Sequence, residues 1–373
     1  MRIVHLSDIH LSEDNFDEFH DNYLEALIND LADFHSTNNI DLIVITGDLV
    51  DKGGHSLLGM KEFEGFDSPY EIFEKVFIKP ISSFLGLGNE NFLFIPGNHD
   101  IDENGILWVD EKSLKEKLSK DTIKEQLKLN ERTFNSTNKR IQTFKEFEKK
   151  FHKETINYEF TNNESTYLFN DKVSNSNIGF ILINDSWRCS TCQLKDSKLN
   201  NHYVGIKQFY WAIEKLKQLN QGVDLDKVIC LFHHSIEEYT EKEEVKRFLI
   251  NKDVDLFLYG HHHSIKSEYL FTPMNGCHGF RGRAALNKPD EQIDIFQPGY
   301  QIIDIDLLSN RISQIYHRKY VFNSSMFAPD TTSAPPLGVD NNSSRGSIGY
   351  EFSQKTNNSN YLGQLKLENF KRE

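Results

Sequence analysis

Leu93-Phe94-Ile95-Pro96-Gly97-Asn98-His99-Asp100 is the stretch that decides the fold. An apolar run stops at a proline and a glycine, and an amide, an imidazole and a carboxylate follow at once. A short apolar run reads as a buried strand. Polar groups crowded at its end stabilise no core, so they point to chemistry above the edge of a sheet. Four other strand-like runs end in the same way. Residues 2–7 lead to Asp8-Ile9-His10, 41–46 to Gly47-Asp48, 228–232 to His233-His234, and 254–259 to Gly260-His261-His262-His263.

The segments between these runs have helical spacing. Leu24, Leu27, Ile28, Leu31 and Phe34 share one helix face, as do Ile206, Phe209, Ile213, Leu216 and Leu219. Helices are also expected over 69–85, with a break at Pro80, and over 241–250. A further strand, 178–183, ends at Asn184-Asp185-Ser186, and 300–307 pairs with 311–320 as a hairpin across Ser309-Asn310. Alternating buried strands and amphipathic helices argue an α/β domain over residues 1–322. Residues 103–165 are rich in Lys, Glu, Asn and Thr but keep Ile141, Phe144, Phe147 and Phe151 at helical spacing. They read as a helical insertion or lid packed against the main body, the plainer alternative being a solvated helical hairpin with no role in chemistry. Residues 323–373 turn polar and read as a tail or linker that would lead to a partner or a further domain.

Composition removes several classes of function. The 373 residues carry 42 Lys+Arg against 56 Asp+Glu, a net charge of −14. Broad, sequence-neutral binding to nucleic acid needs many cations, and a chain this acidic is a poor candidate for it; an enzyme that grips a few nucleotides is not excluded. No apolar run approaches the ~18 residues of a membrane span. The N-terminus enters a strand directly, so no signal peptide is expected. Four cysteines make no disulfide framework, and a reducing cytoplasm is the expected location. Cys189 and Cys192 form a CxxC without a second pair, which reads as incidental rather than as a zinc or redox site.

The strand ends together offer Asp8, His10, Asp48, Asn98, His99, His233, His261 and His263. Carboxylate, imidazole and amide without thiolate suit Mn2+, Fe2+, Zn2+ or Ni2+. So many donors exceed one tetrahedral site and fit two ions about 3.5–4 Å apart, a pair that serves displacement at phosphorus. In Asp8-x-His10 and His261-x-His263 the side chains would point the same way if the strand continued. Gly47, Gly97 and Gly260 each precede a donor, where glycine permits unusual backbone angles and leaves room for a metal or phosphate.

The ordered set Asp8-x-His10, Gly47-Asp48, Gly97-Asn98-His99-Asp100, His233 and Gly260-His261-x-His263 resembles the calcineurin-like metallophosphoesterase superfamily. The resemblance covers about residues 1–320. It implies a two-sheet β-sandwich flanked by helices, a four-layer α/β fold with a helical insertion. It also implies a dinuclear centre at the C-terminal edge of the sheets. Asp8, His10 and His263 would hold one divalent ion, Asn98, His233 and His261 the other, and Asp48 would bridge them. Of the His233-His234 pair, the family's ligand is the first. His99 would be the catalytic imidazole, Asp100 would orient it, and a metal-bound hydroxide would be the nucleophile. Mn2+ is the first expectation, with Fe, Zn or Ni behind it.

The family often has proline after the histidine pair, where Ser235 stands here; that bears on loop shape, not on ligation. The expected activity is hydrolysis of a phosphodiester in a nucleotide or nucleic acid. The alternatives are a DNA or RNA nuclease effector of a multidomain protein, and a non-catalytic scaffold that kept its metal site. Arg281-Gly282-Arg283 could reach a substrate phosphate, although a solvated basic loop is the plainer reading. Asn184-Asp185 could orient a ligand or simply cap a strand.

Overall fold

The computed structural model describes residues 1–115, 117–131, 133–189, 202–263, 271–274, 277–286, 296–330 and 347–351. The chain opens with β1 (Arg2–Leu6), α1 (Leu24–Thr37) and β2 (Leu42–Thr46). Next come α2 (Pro69–Phe73), α3 (Lys79–Leu85) and β3 (Phe92–Ile95). Three helices follow, α4 (Trp108–Lys115), α5 (Lys120–Asn130) and α6 (Gln142–Phe151). They lead into β4 (Tyr158–Phe160), β5 (Ser165–Asp171) and β6 (Ser176–Leu182). Helices α7 (Lys207–Leu219) and α8 (Lys242–Asn251) alternate with β7 (Lys227–Leu231) and β8 (Leu256–Tyr259). The rest is strand: β9 (Phe271–Met274), β10 (Cys277–Arg281), β11 (Gly299–Asp306), β12 (Arg311–Val321), β13 (Met326–Pro329) and β14 (Ser347–Glu351).

Among the described residues the strands form two seven-stranded sheets. One runs β13-β12-β11-β1-β2-β3, with β14 also on β12; the other runs β4-β5-β6-β7-β8-β10-β9. β1, β2 and β3 are parallel, and so are β6, β7, β8 and β10. Alternate residues of each strand face opposite ways, which sorts the apolar side chains into layers. Ile3, Val44 and Leu93 meet Phe180, Leu231 and Leu258 between the sheets. Val4, Ile43 and Phe94 face Leu27, Leu31, Phe73 and Ile81 on one outer face. Ile181, Cys230 and Phe257 face Phe209, Ile213 and Phe248 on the other. The order is helix, sheet, sheet, helix, the four-layer α/β arrangement expected.

Two local expectations change and one narrows. Pro80 breaks no helix: the backbone between α2 and α3 passes through a π-turn, Glu74–Ile78, and Lys79 donates to the Glu74 carbonyl. The wider turn accommodates the N–H that proline lacks. The 103–165 segment is not a solvated hairpin where α6 runs: that helix packs against the main body. Phe144 and Phe147 of α6 pack at 5.3 and 5.5 Å from the Tyr70 ring and at 6.0 and 5.2 Å from Phe94. An aromatic face of that size has to be buried, and from Tyr158 the chain is already an edge strand. The sheet also continues past the boundary expected at 322, because β12 offers an edge on which β13 and β14 pair. Asp330, just beyond β13, is buried and ion-pairs with Arg283 at 2.8 Å. The remainder of the expected tail, 331–346 and 352–373, lies outside the described residues.

Phe147→Ala should lower stability in urea denaturation by about 3 kcal/mol, the usual cost of truncating a buried aromatic; a side chain on a solvated hairpin would leave it unchanged. His152 stacks on Tyr158 at 3.9 Å. Burial, reinforced by the charge of Lys145, lowers its imidazole to about 3. The unfolded chain therefore takes up this proton near pH 6.5 and the folded chain does not. The contribution is complete above pH 6.5 and is lost as pH falls towards 3. Between pH 7 and 4.5 the native chain should lose about 2 kcal/mol more than His152→Phe.

Candidate metal centre

The C-terminal ends of the parallel strands of both sheets meet at one edge. β1 stops at Leu6, so Asp8 and His10 are not brought together by a continuing strand. They converge through left-handed backbone, φ 52° and 49°, and Asp48 (54°) and His261 (72°) share that conformation. Each such residue costs of order 1–3 kcal/mol and persists only where its surroundings over-determine it. Here the peptides lock across the edge: Asp8 N–H donates to Gly47 O at 3.0 Å, and Ile9 and His10 N–H both donate to Asp48 O at 2.9 Å.

Of the three glycines expected to need unusual angles, Gly47 has one, φ 95°. Gly97 and Gly260 are glycine for space. A Cβ on Gly97 would strike the Asp48 carboxylate, and one on Gly260 would strike Ser7 and Asp8. The room thus goes to the protein's own donor side chains.

The donors face one another at short range. His10 Nε2 lies 2.9 Å from His263 Nε2 and 3.5 Å from Asp48 Oδ2, and His263 Nε2 lies 3.3 Å from Asp8 Oδ1. On the other side His233 Nε2 is 3.3 Å from Asp48 Oδ2 and 3.1 Å from Asn98 Oδ1. The His261 ring is 5.1 Å from that of His233. Asp8, His10 and His263 have ligand atoms within 4.8 Å of one another, and so do Asp8, Asp48 and His233. Asp8 Oδ1 and His10 Nδ1 are buried without a hydrogen-bond partner. Burial opposes ionisation of both carboxylates. Even so, His263 and then His233 hold Asp8 below the usual carboxylate range, and His233, His99 and His10 hold Asp48 well below it. Anionic oxygens, imidazole nitrogens and orphaned buried atoms in one cluster fit divalent cations.

His99 is partly exposed, with its ring 4.5 Å from that of His10. Its N–H donates to Asp48 Oδ1 at 2.6 Å, and its Nδ1 lies 2.6 Å from Asp51 Oδ1. The residue that orients His99 is therefore Asp51, not Asp100. The backbone turns back after Gly97, and the Asp100 carboxylate accepts N–H bonds from Gly97 (2.8 Å), Leu49 (3.0 Å) and Val50 (3.1 Å). Burial, and next the charge of Asp48, push Asp100 up to about 7 against those donors. Asp51 escaped the sequence reading because it stands five residues beyond the end of β2. Its signal is the second carboxylate of Gly47-Asp48-Leu49-Val50-Asp51.

The two histidines after β7 stand edge to face at 4.8 Å, with ligand atoms within 4.8 Å of each other and of that of His261, but they take different partners. Nδ1 of His233 bonds to Thr46 O at 2.7 Å, which leaves Nε2 towards Asp48 and Asn98. Nδ1 of His234 bonds to Asp185 Oδ2 at 3.0 Å, while Nε2 faces Cys189 Sγ at 3.8 Å. Asp185 also accepts the His233 and His234 N–H groups, so the strand end Asn184-Asp185 orients the pair. Glu238 contacts His262 at 3.0 Å and His261 at 3.5 Å. Arg281 and Arg283 form no solvated loop: both are buried, Arg281 on the His262 carbonyl at 3.1 Å and Arg283 on Asp330.

A family model described as calcineurin-like phosphoesterase matches residues 1–264. The chain is 24% identical over 271 residues to YydB, an uncharacterized metallophosphoesterase-like protein of Bacillus subtilis (strain 168). That alignment takes in 70% of this chain and 49% of the relative, so the chain spans about half the relative's length. Among solved structures, a Zn2+ complex of Vps29 from Entamoeba histolytica aligns at 12% identity and TM-score 0.34, over 88% of this chain and 97% of that one. The NAD nucleotidase of Haemophilus influenzae aligns at 13% identity and TM-score 0.37, over 98% of this chain and 55% of that one. At these scores neither structure carries an argument about function. No helix among the described residues is long and apolar enough to cross a membrane.

Gly97→Ala should drive the Asp48 carboxylate from its position and weaken Mn2+ binding by roughly 10–100-fold in calorimetric titration, the range typical of a disturbed ligand. Gly59→Ala, whose Cβ would meet open space, should leave the titration unchanged.

Proposed function

The chain belongs to the calcineurin-like phosphoesterase family, and on that premise we propose that it is a two-metal phosphodiesterase acting on a nucleotide or a short nucleic-acid strand. The observation that carries this is Asp48, whose Oδ2 stands 3.5 Å from His10 and 3.3 Å from His233. One carboxylate oxygen faces two donor groups.

In this arrangement Asp8, His10 and His263 would hold one divalent cation, Asn98, His233 and His261 would hold the other, and Asp48 would be shared. The oxygen and nitrogen donors suit Mn2+ first, then Fe2+, Zn2+ or Ni2+. When bound, two such cations neutralise phosphate oxygens and acidify water enough for attack at neutral pH. His99 supplies the proton. Asp51 occupies its Nδ1, so Nε2 is left for the departing alkoxide oxygen, and its charge also steadies the phosphoryl group. Asp100 keeps the 97–100 turn closed under His99. The net charge of −14 favours a substrate of few nucleotides over a long strand. The greater length of the Bacillus relative favours a second reading, a nuclease module of a longer protein.

Bis-p-nitrophenyl phosphate with Mn2+ gives the test. Turnover should depend on the metal, fall roughly 100–10,000-fold in His99→Ala, and disappear in Asp48→Ala. Asp51→Ala should cost roughly 10–100-fold with metal content retained. Absence of metal-dependent turnover, or turnover unchanged in His99→Ala and Asp48→Ala, contradicts the proposal. A panel of cyclic mononucleotides and dinucleotides beside labelled DNA separates the substrates; cleavage of DNA alone removes the preference for a small one.

A further inference from the structure

Behind His233 lies a second group of donors that the phosphoesterase chemistry does not use. Cys189 Sγ is 3.8 Å from His234 Nε2 and 3.9 Å from His202 Nε2. The two rings meet edge to face at 4.4 Å, and the three ligand atoms all lie within 4.8 Å of one another. Bonds of about 2.3 Å to sulfur and about 2.0 Å to nitrogen in a tetrahedral site place sulfur and nitrogen about 3.5 Å apart. The observed spacing needs a contraction of only a few tenths of an ångström.

The surroundings hold these groups in place. The buried Asp185 carboxylate takes Nδ1 of His234 at 3.0 Å, its N–H at 2.7 Å and the Tyr239 hydroxyl at 2.6 Å. A carboxylate on one ring nitrogen fixes the tautomer and turns the lone pair of the other towards the ligand position, as at metal-binding histidines generally. Cys189 is fixed through its backbone. Arg140 donates to the Arg188 carbonyl at 3.0 Å and the Cys189 carbonyl at 2.8 Å, and a buried Glu111 at 2.5 Å holds Arg140 itself. His202 is pinned by Thr240, which donates to its carbonyl at 2.8 Å.

We propose that Cys189, His202 and His234 form a separate, mononuclear site for a thiophilic divalent cation of the zinc class. One sulfur and two imidazoles are softer than the donors around Asp48. The two neighbouring sites therefore select differently: Mn2+ has no preference for the thiolate site, and Zn2+ or Co2+ does. On binding, the cation replaces the thiol proton, which passes to solvent, and the His202 Nε2 proton now donated to the Asp185 carbonyl at 2.8 Å is exchanged for one on Nδ1, so that the ring stays a neutral imidazole. The bound ion would tie the segment after β6 to the strand end that carries His233. Cys192, the other half of the CxxC, lies outside the described residues.

The test is cobalt substitution of the full chain after removal of its metals. The native protein should show a thiolate-to-cobalt charge-transfer band in the near ultraviolet. Cys189→Ser and His202→Ala should each bind one Co2+ fewer per chain and lose that band. The visible d–d bands of the remaining cobalt should persist, which also shows that the variants are folded. Asp48→Asn acts on the other centre and should leave the charge-transfer band intact, so failure of one site is not mistaken for failure of the other. A native protein without the band, or a band undiminished in Cys189→Ser, overturns the proposal.

Discussion

The structure turns on one buried carboxylate. Asp48 accepts the His99 N–H on Oδ1, and its Oδ2 faces His10 and His233. His10 follows a strand of one sheet and His233 a strand of the other. A charge in that position is tolerable only if both sheets bring partners to it. The requirement fixes how the two C-terminal edges align. It also explains why glycine stands at 97, where a side chain would collide with the carboxylate, and why Asp8, His10 and Asp48 keep strained backbone. The apolar layers behind them are the rigid support that holds the strain.

Much of this was legible in the sequence, because an apolar strand that breaks off into Asp, Asn and His has no folding reason to do so. The five strand ends and the α/β class follow from that pattern; the four-layer order was implied by the family resemblance those ends carry. Adjacency misled where the chain turns. Asp100 stands next to His99 in sequence, yet its carboxylate folds back onto Gly97, Leu49 and Val50. The group that reaches His99 comes from another loop, as Asp51. Polarity misled after 322, where a short strand of mixed character completes a sheet edge.

The same strand end serves two environments. His233 and His234 lie side by side with rings 4.8 Å apart, yet Nε2 of one faces the Asn98 amide oxygen and Nε2 of the other faces a thiol. Asp185 holds the backbone of both. Cys189 was set aside in the sequence for want of a second cysteine pair. Its partners are histidines 13 and 45 residues away, and only the fold brings them together.

The most direct measurement is anomalous diffraction from a crystal of the full chain grown with Mn2+. Two peaks about 3.5–4 Å apart, astride the Asp48 carboxylate with His10 on one side and His233 on the other, are the expected result. A single peak, or peaks that leave Asp48 uncoordinated, would contradict the account.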